Sequence, residues 1–385
     1  MTMSIELDEI KKREKGLRII NSKIKTEGID SIVDLTGLAG GFDVTPKDIS
    51  LLETYAGPAV FDEKIQKLGI EHMGGEKVLP LNRTTSGIAA MIITYVKEGD
   101  EIVHFLPKKP GHPSIPRTAN LVGADYVEYS SIDDFKISDN TALVVITGTT
   151  MDHEVITEDD FKQIIQKAKD KDILVFVDDA SGARLRRAIY NQPTAIDLGA
   201  DLSVTSTDKL MDGPRGGLMA GSEKLIDEIK LTVNQYGFEA QAPLVAGMIK
   251  ALEKYSPQRI REAYIQKDEL YQKLLDKGLH PSTTPTGFMF KQEDIKDEVT
   301  KKVGPVDVSA DIIATVYSML LLKNYNIVTI PAVGMPGASK TIRIDWSAKD
   351  SDKLTMDEMV SAICNTFEKT AEVCKNDCIE KVLYD

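Results

Sequence analysis

The sequence predicts an α/β protein, a doubly wound and mainly parallel sheet followed by a smaller α+β C-terminal domain. Three observations carry this. Between residues 78 and 221 short apolar runs alternate with helical ones, the pattern of a sheet wound with helices. Residues 143–146 and 173–177 are almost continuously apolar, as in parallel strands covered on both faces. After Pro281 the chain changes to isolated strands between longer helices.

Taken in order, residues 4–28 read as a charged amphipathic helix, with Ile10, Leu17, Ile20 and Ile24 near helical spacing. The glycine-bearing segment 31–42 reads as a mobile or ligand-approaching loop. It lacks the Gly-x-Gly-x-x-Gly order and phosphate lysine of a nucleotide loop. Residues 46–70 read as short helices around Tyr55-Ala-Gly-Pro58. Strands are expected at 78–81, 101–105, 124–129, 142–147, 173–177, 202–206 and 218–220, with helices at 87–96 and 158–169 among them. Residues 223–279 read as mostly helical, and the charged run 260–270 as a bridge between domains. Beyond lie strands at 287–290, 327–330 and 341–345 and helices at 309–323 and 355–380. The expected division is an N-terminal helix and loop packing on the core (1–60), a large domain (61–250) and a small domain (251–385).

The 385 residues are 42% apolar and 28% charged, as in a soluble globular protein. Sixty acidic against 47 basic residues give a net charge of −13, which works against a polyanionic partner. Cys364, Cys374 and Cys378 form no disulfide framework. Cys374 and Cys378, four apart, are expected to share a helix face as packing residues, and no metal site is expected. The charged start does not read as a signal peptide, and no apolar run nears membrane-spanning length. The expected location is the cytoplasm, with no membrane partner.

Ligands of open α/β sheets bind beyond the C-terminal ends of the strands. Five segments there carry candidate chemistry. Thr84, Thr85, Ser86 and Gly87 open a helix, where free N–H groups and hydroxyls make an anion site; ordinary capping is the plainer alternative. His112 lies in the turn Gly111-His-Pro-Ser114, where its imidazole could stack on a flat ring. Thr149 and Thr150 could donate to a ligand or cap the helix ahead of Glu158. Asp178-Asp179 ends a strand, and a carboxylate there can pair with a protonated pyridine nitrogen. Which of the two would do so stays open, since one residue of register swaps their faces. Arg184, Arg186 and Arg187 read as a solvated helix face.

The fifth segment is Leu202-Ser-Val-Thr-Ser-Thr-Asp-Lys209, followed by the turn Gly213-Pro-Arg-Gly-Gly217. A lysine at a strand end can be partly desolvated, which frees its amine as a nucleophile toward an aldehyde such as pyridoxal phosphate. Further on, Arg343 lies in Thr341-Ile-Arg-Ile-Asp345, flanked by isoleucines. Partly buried, it needs an anion, either a substrate carboxylate or a structural partner such as Asp345.

In this order the residues resemble the fold-type I pyridoxal phosphate enzymes, the aspartate aminotransferase superfamily. The resemblance spans roughly residues 30–350. It implies a phosphate loop at Thr84-Thr85-Ser86-Gly87, ring stacking by His112, a ring-oxygen contact from Thr150, a ring-nitrogen partner in Asp178, a Schiff-base lysine in Lys209 and a substrate-carboxylate ligand in Arg343. Val177-Asp-Asp-Ala180 is similar to the Val-Asp-x-Ala signature, and Gly111-His-Pro-Ser114 to the turn of cysteine desulfurases. Asp178-Asp-Ala-Ser-Gly182 and Ser206-Thr-Asp-Lys-Leu-Met-Asp-Gly-Pro-Arg-Gly-Gly217 most resemble the bacterial selenocysteine synthases (seryl-tRNA selenium transferases) and the archaeal proteins like them. That adds Ser181 and Ser206 as cofactor contacts.

The sequence also departs from those synthases. About one helix precedes Val33-Asp-Leu-Thr-Gly37, where they carry a tRNA-binding domain. Gly40-Gly-Phe-Asp43 lacks their arginine, and 232–241 lacks their arginine pair. These losses, with the acidic charge, speak against seryl-tRNA as substrate. The resemblance therefore implies a homodimer or assembly of dimers that acts on a small amino acid by β-elimination or β-replacement. Selenium or sulfur transfer on aminoacyl-tRNA is the alternative. Outside catalysis stand a protein that only binds the cofactor and an acidic scaffold that does not.

Overall fold

The computed structural model describes residues 2–38 and 40–385. The chain divides into two compact units, one formed by the chain up to Gly37 with Arg259–Asp385, the other by Leu38–Gln258.

The Leu38–Gln258 unit is built on a seven-stranded sheet in the spatial order Lys77–Leu81, Gly217–Gly221, Leu202–Ser206, Leu174–Asp178, Thr141–Thr147, Glu101–Phe105, Asp125–Tyr129. All neighbours pair in parallel except Gly217–Gly221, which runs antiparallel to both its partners. Period-two alternation divides the central strands between two cores. Leu143, Val145, Phe176 and Leu202 pack with Ile88 and Ile92 of helix Thr84–Tyr95. Val144, Ile146, Val175 and Val177 pack with Phe161, Ile164 and Ile165 of helix Glu158–Lys169. Burial on both faces is why these strands read as unbroken apolar runs. Helix Glu158–Lys169 forms where it does because Thr157 accepts a bond from the Asp160 N–H, three acids fill its first turn, and Lys167 and Lys169 lie in its last.

The other unit carries a three-stranded antiparallel sheet, Ser282–Thr284, Gly287–Phe290 and Ile342–Asp345. Phe288, Phe290, Ile342 and Ile344 pack there against Tyr317 and Phe367 of helices Ala310–Tyr325 and Met356–Lys375. Val33–Asp34 pairs in parallel with Ile327–Val328, so part of the expected 31–42 loop is a short strand.

Four expectations change. Helix Thr2–Glu27 belongs to the unit of the C-terminal segments, whereas the sequence placed it with a separate segment 1–60. Its Gly16 lies against the Ala332 carbonyl, where a Cβ would collide, and Arg13 Nε donates to Val333 O at 3.0 Å. The charged run 260–270 lies in helix Gln258–Leu275, all but its first residue within that same unit. Cys374 and Cys378 do not share a helix, because Met356–Lys375 ends between them. The helix expected at 87–96 begins a turn earlier, at Thr84, which puts Thr84, Thr85 and Ser86 in its first turn. Among the described residues no helix is long and apolar enough to cross a membrane.

Candidate active site

At the C-terminal ends of the parallel strands, the Leu38–Gln258 unit gathers most of the candidates. The sheet itself separates the two aspartates. Asp178 continues the face of Phe176, toward helix Thr84–Tyr95, and Asp179 turns the other way. Asp179 is held by Arg186, with Nη2 to Oδ2 at 2.5 Å and Nε to Oδ1 at 3.2 Å, both side chains fully buried. Gly148 and Gly182 frame this carboxylate, and a Cβ on either would collide with Asp179 Oδ1. Gly182→Ala and Gly148→Ala are each expected to lose about 1–3 kcal/mol of unfolding free energy in denaturant titration, the usual scale of overpacking.

Asp178 differs. Its Oδ1 is buried with no hydrogen-bond partner among the described residues. Burial raises its carboxyl from 3.8 to about 6; the Asp179 charge adds to this, while the Lys209 charge and the Ala180 N–H oppose it. The folded chain therefore keeps a proton that the unfolded chain loses between about pH 4 and pH 6. Through that window Asp178 removes stability as pH rises, on the order of 3 kcal/mol for a shift of roughly two units. Unfolding of the cofactor-free protein at the two ends of the window is expected to show this loss in wild type and its absence in Asp178→Asn.

Lys209 is half-buried in the turn after Leu202–Ser206, and the neighbouring Leu38 and Lys209 form an isolated antiparallel bridge. Leu210 takes a left-handed φ of 55°. A Cβ at Gly213 would collide with the Thr207 carbonyl, and Thr207 Oγ1 donates to Pro214 O at 2.7 Å. The Ser206 hydroxyl donates to Asp208 Oδ1, whose other oxygen lies 3.4 Å from Arg215 Nε.

His112 reaches the same region. Burial first, then the charges of Lys209, Arg83 and Arg117, lower its pKa to about 4, so its ring is neutral at ordinary pH. Nδ1 receives the Ser114 N–H at 3.3 Å and lies 2.7 Å from Ser114 Oγ, which leaves the proton on Nε2. The turn is anchored by the Gly111 N–H donating to Glu128 Oε1 at 2.9 Å.

Thr84, Thr85 and Ser86 are half-buried, and Ser86 Oγ donates to Asn82 Oδ1 at 2.5 Å. Gly87 lies where a Cβ would stand 2.6 Å from Leu81 Cδ1, so glycine brings this helix close to the sheet. Thr149 Oγ1 is buried without a partner among the described residues. Thr150 Oγ1 accepts the Glu154 N–H at 3.0 Å. Neither caps helix Glu158–Lys169, a task that falls to Thr157. Ser181 is buried at the start of helix Gly182–Tyr190. Arg343 belongs to the other unit, where it is buried and its Nη2 donates to Thr36 O at 3.0 Å.

Two groups escaped the sequence reading. Arg184 and Arg186 are not a solvated face; both are 0% exposed. The available signal was the Asp178-Asp179 pair just upstream, whose charge needs a buried cation. His104, fully buried, joins Thr147 Oγ1 (2.7 Å) to the Tyr126 hydroxyl (2.7 Å), which donates to Glu128 at 2.6 Å. Burial lowers its pKa to about 3. It is therefore neutral, with Nδ1–H donating to Tyr126 and Nε2 accepting from Thr147.

These residues suit pyridoxal phosphate. They offer a half-buried amine whose charge acts on a buried carboxylate, an oxygen of that carboxylate with no partner among the described residues, a neutral imidazole, and a helix start rich in hydroxyls. The fold is that of the fold-type I pyridoxal phosphate class. Solved structures share the fold: the SepCysS–SepCysE N-terminal domain complex (TM-score 0.61, 17% identity, covering 88% of this chain and 95% of that one) and aspartate aminotransferase from Thermotoga maritima (TM-score 0.59, 16% identity, covering 93% and 96%).

The chain belongs to the UPF0425 pyridoxal phosphate-dependent protein family. It is 75% identical over 383 residues to the member from Methanosphaera stadtmanae, covering 100% of both chains. To the member from Methanothermobacter thermautotrophicus it is 47% identical, covering 96% of both. The model of the UPF0425 C-terminal domain matches residues 277–355. More distantly, it is 25% identical over 189 residues to L-seryl-tRNA(Sec) selenium transferase of Actinobacillus pleuropneumoniae serotype 7, covering 44% of this chain and 40% of that one.

Proposed function

We propose that this protein holds pyridoxal phosphate through Lys209 and acts on a small free amino acid by β-elimination or β-replacement. The observation that carries the reading is the placement of the Lys209 charge close enough to perturb both Asp178, with its buried and unpartnered oxygen, and His112. Asp178 would bind the protonated ring nitrogen, His112 would lie against the ring, and Thr150 would contact the ring oxygen. Thr84, Thr85, Ser86 and Gly87, with Ser181 and Ser206, would hold the phosphate side. Bound there, the cofactor supplies an electron sink for the negative charge that develops at the substrate α-carbon. The Lys209 amine, once released, would take the proton from that carbon. Arg343 is assigned the substrate carboxylate, which its planar guanidinium suits. Assembly as a homodimer belongs to the same reading.

The test is a screen of cofactor-loaded protein against free amino acids. Ammonia, keto-acid or substituted-product release from one of them supports the reading. Colour without turnover on any of them makes the protein a binder only. A second reading, selenium or sulfur transfer on seryl-tRNA, is favoured by the similarity to the selenium transferases. Salt-dependent tRNA binding by the loaded protein would support it.

A further inference from the structure

Arg184 is a fully buried cation on helix Gly182–Tyr190. Its Nε donates to the main-chain carbonyl of Lys209 at 2.7 Å. Nη2 donates to the carbonyls of Ser206 and Ala180, both at 2.5 Å, and Nη1 lies 3.4 Å from His72 Nε2. Burial and the charges of Arg184 and Arg187 lower the His72 pKa to about 3, so that ring is neutral. All these hydrogen-bond partners are therefore neutral, and no carboxylate among the described residues bonds to this guanidinium. A buried charge with no carboxylate bonded to it is costly, and the charges of Asp179 and Asp208 offset that cost only from a distance. Its neighbour Arg186 shows the usual solution, an ion pair with Asp179. Arg184 instead joins three main-chain carbonyls of two segments: Ser206 and Lys209, at the end of the lysine strand and in its turn, and Ala180 in the turn after the aspartates.

We infer that Arg184 is a positioning residue for Lys209, its fork clamping the lysine turn to the Ala180 turn and fixing where the amine emerges. The inference rests on the reading of Lys209 as the cofactor lysine. Three carbonyls diverging around one group need several donors in a rigid plane, which a guanidinium has and an ammonium lacks. A guanidinium held at the Lys209 carbonyl also adds positive charge to the turn that carries the amine, and one buried cation disfavours a second nearby.

The test compares Arg184→Lys and Arg184→Gln with Arg187→Lys. Arg187 lies on the same helix, donates to the His72 carbonyl at 2.7 Å and makes no bond to the lysine turn. Hydrogen exchange is read over residues 206–213 in cofactor-free protein. The pH midpoint of the visible absorption is read in loaded protein. Arg184→Lys is expected to exchange about tenfold faster there, the scale of one lost hydrogen bond, while Arg187→Lys matches wild type. Arg184→Gln is expected to raise the absorption midpoint by about one pH unit, and Arg184→Lys to restore it. If Arg184→Lys lowers the melting temperature but leaves exchange over residues 206–213 at the wild-type value, the residue only supports the fold and the inference falls. If Arg184→Gln does not fold, the exchange comparison of the two lysine variants decides. Should Lys209→Ala keep the lysine-type colour, the reading of the site fails instead, and exchange in the cofactor-free protein still judges the clamp.

Discussion

Lys209→Ala is expected to bind no cofactor covalently and to lose turnover by at least about 10³-fold, because the residue serves both as anchor and as proton acceptor. Added pyridoxal phosphate would leave the variant without the colour that borohydride traps in wild type. The fold should survive, since Lys209 is half-buried and its turn is held by main-chain and neighbouring contacts, Thr207 to Pro214 and Arg184 to the Lys209 carbonyl. Unchanged circular dichroism with lost colour is therefore the expected pair of results. Retained turnover would remove Lys209 from the chemistry.

Asp178→Asn is expected to lower turnover by about 10²–10³-fold, the scale of losing one preorganised electrostatic partner at a reacting centre. Asparagine keeps the shape but not the charge that holds a ring nitrogen protonated. The neighbouring Asp179→Asn should behave in the opposite way. It breaks the buried pair with Arg186 and is expected to cost about 3–5 kcal/mol of stability, with little change in the bound cofactor's spectrum where the variant folds. The contrast separates two adjacent aspartates that the sequence left interchangeable. If Asp179→Asn altered the spectrum and Asp178→Asn did not, the assignments would be reversed.

Much of the fold was legible because burial on both faces leaves a run that few other structures produce. Residues 143–146 and 173–177 announced the central strands, and the polar residues just beyond them fell at the sheet's C-terminal edge. The places of Lys209 and Asp178 at the sheet's C-terminal edge were readable for the same reason, since each follows or ends an apolar strand. Arg184 and Arg186 were not. Arginine is a surface residue in most settings; what buries Arg184 is the Lys209 turn, 25 residues away and brought near by the sheet, while for Arg186 it is Asp179, seven residues upstream, a local signal that went unread. His104 was hidden likewise, since it looks like one polar residue inside a strand until Tyr126 and Thr147 arrive from the neighbouring strands. The grouping of helix Thr2–Glu27 with the C-terminal segments depends on contacts such as Arg13 with Val333, 320 residues apart, which no local pattern encodes. The two aspartates needed register, and register is a property of the assembled sheet.

The account turns on one covalent bond, between the cofactor and the amine of Lys209. Its most direct test is to reduce the loaded protein with borohydride, digest it, and map the peptide that carries the added pyridoxyl mass. A single labelled peptide containing Ser206-Thr-Asp-Lys209 is expected, with the modification on Lys209. Label on another lysine, or none on a protein that has turned yellow, would contradict it.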